Sequence, residues 1–135
     1  MEYLFSECSS LKEVNLSSFN TSSVISMYQM FHGCSSLKKL NLSNFYTPNL
    51  LKISSVFYEC SSLQQLDISN FNTSSITSMA DLFLFCSSLK ELDLSHFDTS
   101  MVTSMRSMFS DCKSLKKLNL SNFNTINVKS MINLF

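Results

Sequence analysis

Hydrophobic and polar positions recur along this chain with a period of 26 residues. A leucine column runs Leu11, Leu37, Leu63, Leu89, Leu115. One phenylalanine column runs Phe19, Phe45, Phe71, Phe97, Phe123, and a second runs Phe5, Phe31, Phe57, Phe83, Phe109, Phe135. Threonine (Thr21, Thr47, Thr73, Thr99, Thr125) and cysteine (Cys8, Cys34, Cys60, Cys86, Cys112) occupy columns of their own. A fixed period over the whole length marks a repeat array, whose units bury their apolar faces against one another. The units start at Cys8, Cys34, Cys60, Cys86 and Cys112, after a partial unit over 1–7, and make one array over 1–135.

Two patterns alternate within each unit. Leu40-Asn41-Leu42 is an apolar-polar-apolar triplet, as in a half-buried strand. Val14-Asn15-Leu16, Leu66-Asp67-Ile68, Leu92-Asp93-Leu94 and Leu118-Asn119-Leu120 match it. Met27, Met30, Phe31 and Cys34 then stand at i, i+3, i+4, i+7, one face of a helix. Thr47 before Pro48 predicts an N-cap and a first helical residue, with the helix running to Tyr58 and a 3₁₀ helix as the alternative for so short a segment. The expected fold is α/β: a leucine-rich-repeat-type solenoid of five units, each with one short parallel strand and one short helix. Its strands would stack about 4.8 Å apart in one sheet.

Composition narrows the picture. Formal net charge is zero and only one Gly and one Pro occur. No basic patch is evident, which argues against nucleic acid, and glycine-rich phosphate loops are absent. No apolar run approaches the roughly 20 residues of a membrane span, so direct membrane insertion is not expected. Met1-Glu2-Tyr3-Leu4-Phe5 lacks the basic and apolar regions of a signal peptide. It aligns with a repeat interior. Neither end carries a polar cap, so the chain is expected to be a piece of a longer array, or else to stack end to end.

The pattern Met-Phe-x-x-Cys-x-Ser-Leu-x-x-Leu-Asn-Leu-Ser-x-Phe-x-Thr is carried by Met30 to Thr47 and by Met108 to Thr125. It resembles the 26-residue repeat of bacterial surface proteins, the BspA-like leucine-rich repeats. Phe45 stands where the leucine-rich consensus usually has Asn. The resemblance implies a cell-surface or secreted location, often in lipoproteins or adhesins, and no shared active site.

Candidate chemistry is sparse. The cysteines read as buried free thiols, with disulfides between stacked neighbours as the alternative. No Cys-x-x-Cys occurs and His32 and His96 lie in different columns, so no metal is expected. Asp67 and Asp93, in one column of adjacent units, could pair around calcium; Asn15, Asn41 and Asn119 in that column favour a solvated face instead. The serines lack a histidine partner or a nucleophile turn. Five Asn-x-Ser sequons, at Asn15, Asn20, Asn41, Asn72 and Asn119, are formal glycosylation acceptors.

The exposed sheet face is the candidate binding surface. It comprises Glu13, Lys39, Gln65, Glu91 and Lys117 before the strand centre, and Asn15, Asn41, Asp67, Asp93 and Asn119 at it. No aromatic anchor lies on this face. The expectation is a non-enzymatic extracellular domain for adhesion or protein binding through that face, without catalytic residues or cofactors. The partner would be a protein or a cell-surface ligand. The alternative is a structural spacer or filament unit that self-associates end to end and binds no specific ligand.

Overall fold

The computed structural model describes residues 1–135. It contains no helix. Regular structure is limited to four three-residue strands: β1 (Lys39–Asn41), β2 (Gln65–Asp67), β3 (Glu91–Asp93) and β4 (Lys117–Asn119). β1 pairs in parallel with β2, and β3 with β4, as two separate two-stranded sheets. Lys39 faces Gln65 and Glu91 faces Lys117, so each pairing is offset by one unit. The expected α/β architecture is thus overturned in its helices. The single five-stranded sheet is overturned too, since Val14-Asn15-Leu16 forms no strand.

Left-handed residues account for the missing helix. Each complete turn segment holds two residues of positive φ, four apart: Gln29 (53°) with Gly33 (71°), Ser55 (57°) with Glu59 (59°), Asp81 (58°) with Phe85 (61°), and Ser107 (51°) with Asp111 (57°). A right-handed helix cannot pass through such residues. Met30 N–H donates to the Met27 carbonyl (3.0 Å) and Cys34 N–H to that of Phe31 (3.1 Å). These are two consecutive four-residue turns, each with its left-handed residue third, where a type II turn requires it. Their corners are Met27, Met30, Phe31 and Cys34. Two turns in succession therefore bury the same i, i+3, i+4, i+7 set that a helix would.

Alternate amides of the turns bond along the stack instead. Met27 N–H donates to the Lys52 carbonyl (2.9 Å), Phe31 to Val56 (3.0 Å) and Gly33 to Tyr58 (2.9 Å). The ladder continues from Phe57 to Leu82 (3.1 Å), Phe83 to Met108 (3.0 Å) and Phe109 to Leu134 (2.8 Å). This turn ladder is the continuous spine: only 4 of 64 backbone–backbone bonds lie within the strands.

The threonines do not cap helices. Leu50 N–H closes a turn on the Thr47 carbonyl (3.3 Å). The hydroxyls tie each unit to the next: Thr21 Oγ1 donates to the Tyr46 carbonyl (2.9 Å), Thr73 to Asp98 (3.0 Å) and Thr99 to Asn124 (2.9 Å). Asparagines reach the other way, Asn44 Nδ2 to the Leu16 carbonyl (3.1 Å) and Asn127 Nδ2 to that of Ser100 (2.7 Å). The buried threonine hydroxyls are thus paired, as burial demands.

Inside lies one cluster of 31 buried hydrophobic residues. Phe5, Phe31, Phe57, Phe83, Phe109 and Phe135 form a row of near-parallel rings, with neighbouring centroids from 5.3 to 6.2 Å apart. Identical residues in identical positions let every unit offer its neighbour the same shape, so packing repeats as the sequence does.

Candidate functional site: the strand face and its groove

The strands hold eight of the ten candidate residues. Leu40, Leu66, Leu92 and Leu118 point toward the core, and the residues flanking each point outward. Glu13 and Asn15, in the first unit, are exposed but lie outside any strand. The outer column is partly self-neutralising: Lys117 Nζ lies 2.7 Å from Glu91 Oε1.

The central column has a structural duty that sequence reasoning missed. Each side-chain oxygen accepts from the backbone N–H two residues on: Asn15 from Ser17 (3.0 Å), Asn41 from Ser43 (2.9 Å), Asp67 from Ser69 (3.1 Å), Asp93 from Ser95 (2.9 Å) and Asn119 from Ser121 (3.1 Å). These Asx turns end each strand. They also explain three of the Asn-x-Ser sequons, in which the serine supplies the donor amide. The Ser95 amide holds the Asp93 carboxyl below the usual carboxylate range. Asp67 and Asp93 belong to different sheets, and no group of three or more His, Cys, Asp or Glu side chains could hold a metal ion.

A second Asx turn follows at Asn20, Asn72, Asp98 and Asn124. The second unit departs at both partners together. Tyr46 replaces the acceptor and Pro48 removes the N–H it would have bound, so neither is left buried and unsatisfied.

An open groove of about 830 Å³ runs across the first three units of the strand face. It brings together Glu13, Lys39, Asn41, Gln65 and Asp67 from the candidate set, and adds Lys12, Lys38, Ser36 and Ser62. The candidates Glu91, Asp93, Lys117 and Asn119 lie farther along the stack, outside the groove.

The cysteines are all unpaired. Each thiol from the second unit on donates to a phenylalanine carbonyl of the preceding turn: Cys34 to Phe5 (3.1 Å), Cys60 to Phe31 (3.2 Å), Cys86 to Phe57 (3.1 Å) and Cys112 to Phe83 (3.1 Å). Burial, chiefly, pushes the Cys34 thiol up to about 12 and Cys112 to about 11, and raises Cys60 and Cys86 as well. Cys8 is exposed, contrary to the expected burial of the whole column.

The turn side carries a row of rings. His32 stacks on Tyr58 (4.7 Å between centroids), and Tyr58 on Phe85 (6.0 Å). Glu7 Oε1 lies 3.2 Å from His32 Nδ1. These rings cover one another's faces, so the row presents mainly edges to solvent.

The geometry defines a helix-free tandem-repeat protein, held in register by side-chain and backbone bonds that recur from unit to unit. The family described as Mycoplasma protein of unknown function, DUF285, matches residues 1–67 and again 62–135, and the chain belongs to that family. No curated protein and no solved structure matches it.

Proposed function

We propose that this chain is a non-enzymatic repeat domain that acts at the cell surface or outside the cell, in adhesion or protein binding through its strand face. Kinship with the BspA-like repeats is part of the same proposal. The observation that carries it is the groove: exposed polar side chains, in fixed register, on a scaffold whose interior is fully committed to packing. Such an arrayed surface suits a flat contact multiplied along the stack.

The test coats beads with the chain and measures attachment to a cultured epithelial monolayer. The variant combines Lys39→Gln, Asp67→Asn and Asp93→Asn, which changes charge but keeps the Asx acceptors. Attachment that falls severalfold supports the reading; attachment equal to the parent's refutes it.

The stacking geometry favours a second reading, a spacer unit that self-associates. Within the two turns of each unit the inter-unit bonds run from the N–H of one unit to the carbonyl of the next, while at the bridge just before them Leu51 N–H donates back to the Ile25 carbonyl (2.8 Å). The two faces of a unit are therefore complementary rather than alike, the heterologous arrangement that extends without closing. Sedimentation at increasing concentration tests it, and a chain that stays monomeric throughout counts against it.

A further inference from the structure

The lysines, dispersed along the chain, converge in space. Lys12, Lys38, Lys90 and Lys116 occupy one column at the entrance to the strands, and Lys39 and Lys117 the column beside it. All six are exposed. The second column alternates in sign, with Glu13 and Glu91 among its members. The first contains no acidic residue, and its third unit is Gln64.

None of Lys12, Lys38, Lys90 and Lys116 forms an ion pair. The backbone fixes neighbours of this column side by side within each sheet: Lys116 N–H donates to the Lys90 carbonyl (2.8 Å), and Gln64 N–H to that of Lys38 (2.9 Å). Neighbouring rungs of a sheet lie about 4.8 Å apart, and like charges directly opposite one another are unfavourable. An anion lying across the column relieves that repulsion. Glu7, Glu59 and Asp111 meanwhile share a left-handed column of the turn segment. Zero net charge thus conceals a cationic column, with Glu13 and Asp67 lining the groove beside it.

We propose that the lysine column binds a linear acidic polysaccharide laid along the stack; this rests on the strand-face reading above and names its ligand class. Ser36, Ser62 and Gln65 share the groove with Lys12 and Lys38. They supply hydroxyl and amide partners for sugar hydroxyls beside cations for carboxylate or sulfate groups. A nucleic acid fits less well. No aromatic ring lines the groove for base stacking, and a sequence pI near 6.7 lacks the strongly basic character of nucleic-acid-binding domains.

The test titrates the intact chain against polygalacturonate, heparin, neutral dextran, poly-glutamate and an oligothymidylate. The comparison variant combines Lys12→Gln, Lys38→Gln, Lys90→Gln and Lys116→Gln. The expected result is binding to at least one acidic polysaccharide and not to dextran, weakened by salt. The variant should lose at least about tenfold in affinity while its unfolding midpoint holds. Absence of binding to both acidic polysaccharides, equal binding by the variant, or preference for poly-glutamate or the oligonucleotide would overturn the assignment. If the assignment fails but bead attachment still responds to the Lys39, Asp67 and Asp93 changes, only the ligand class falls. If attachment is indifferent to them as well, the strand-face reading falls with it.

Discussion

Gly33 and Gln29 separate the turn geometry from a helix by the sign of a stability change. Both sit at left-handed positions, with φ of 71° and 53°. A side chain there costs about 1–2 kcal/mol. Gly33→Ala should therefore destabilise by about 0.5–1 kcal/mol net, once the roughly 0.4–1 kcal/mol returned by the stiffer unfolded chain is subtracted. Its new Cβ would meet Glu7 Oε2 at 2.8 Å. That carboxylate is the end of a side chain 70% exposed and can swing aside, so backbone strain dominates. Gln29→Gly relieves the same strain, less about 0.4–1 kcal/mol for the greater freedom of the unfolded chain. A net gain of about 0.5–1 kcal/mol follows. In a helix both signs reverse: alanine for glycine would stabilise by about 1 kcal/mol, and glycine for glutamine would destabilise by about 0.5–1 kcal/mol. Thermal unfolding followed by circular dichroism resolves this, because 1 kcal/mol moves the midpoint by about 2–4 °C or more at this chain length. A higher midpoint for Gly33→Ala together with a lower one for Gln29→Gly would refute the turn assignment.

Other expectations follow from the inter-unit bonds. Thr99 Oγ1 both donates to the Asn124 carbonyl (2.9 Å) and accepts from its N–H (2.7 Å). Thr99→Val should cost about 1–3 kcal/mol in urea unfolding, with Thr99→Ser much milder; equal effects would mean the hydroxyl is idle. Tyr46→Asn alone should change little, because Pro48 offers no N–H, whereas Tyr46→Asn with Pro48→Ser should restore the missing Asx turn. A double-mutant cycle should show favourable coupling of about 0.5–1 kcal/mol, and zero coupling contradicts the pairing. In the native state at pH 8 an alkylating reagent should label Cys8 quickly and the buried thiols slowly, with all five labelled in denaturant; fast native labelling of Cys60 refutes the packing. Raised thiol values also set a pH window. The neutral thiols contribute fully below their ordinary value of 9.0, and the contribution is lost as pH rises through about 11 for Cys112 and about 12 for Cys34.

The repeat borders and the inward columns were legible because burial imposes the same demand on every unit: Leu37, Phe45, Phe57 and Leu63 are all buried as the columns require. The helix was a misreading with a definite cause. Two consecutive turns and two helical turns bury the same spacing, so hydrophobic pattern alone cannot tell them apart. The distinguishing signal lies in the left-handed columns. Gly33, Asp81, Asp111 and Asn133 tolerate positive φ, but Gln29, Glu59 and Phe85 share those columns and dilute it. The candidate face was legible as exposed and polar. Its Asx role was hidden because an asparagine between two apolar residues reads equally well as a solvated strand position. The lysine column was hidden by distance, since its members are neighbours only once the register is known.

The two sheets stop short of each other between Asp67 and Glu91, while the turn ladder crosses that same level through Phe57 and Leu82. A stack tied along one edge and slit at mid-height along the other behaves as a flexure. Opening the slit breaks no backbone bond of either sheet, only the side-chain bonds of His96 Nε2 with the Ile68 carbonyl (3.0 Å) and Ser87 Oγ with that of Ser61 (3.2 Å), so the molecule can change its curvature there at less cost than within a pair. A ligand longer than two rungs would set that curvature as it seats, and the spacing between the two lysine clusters becomes adjustable rather than fixed.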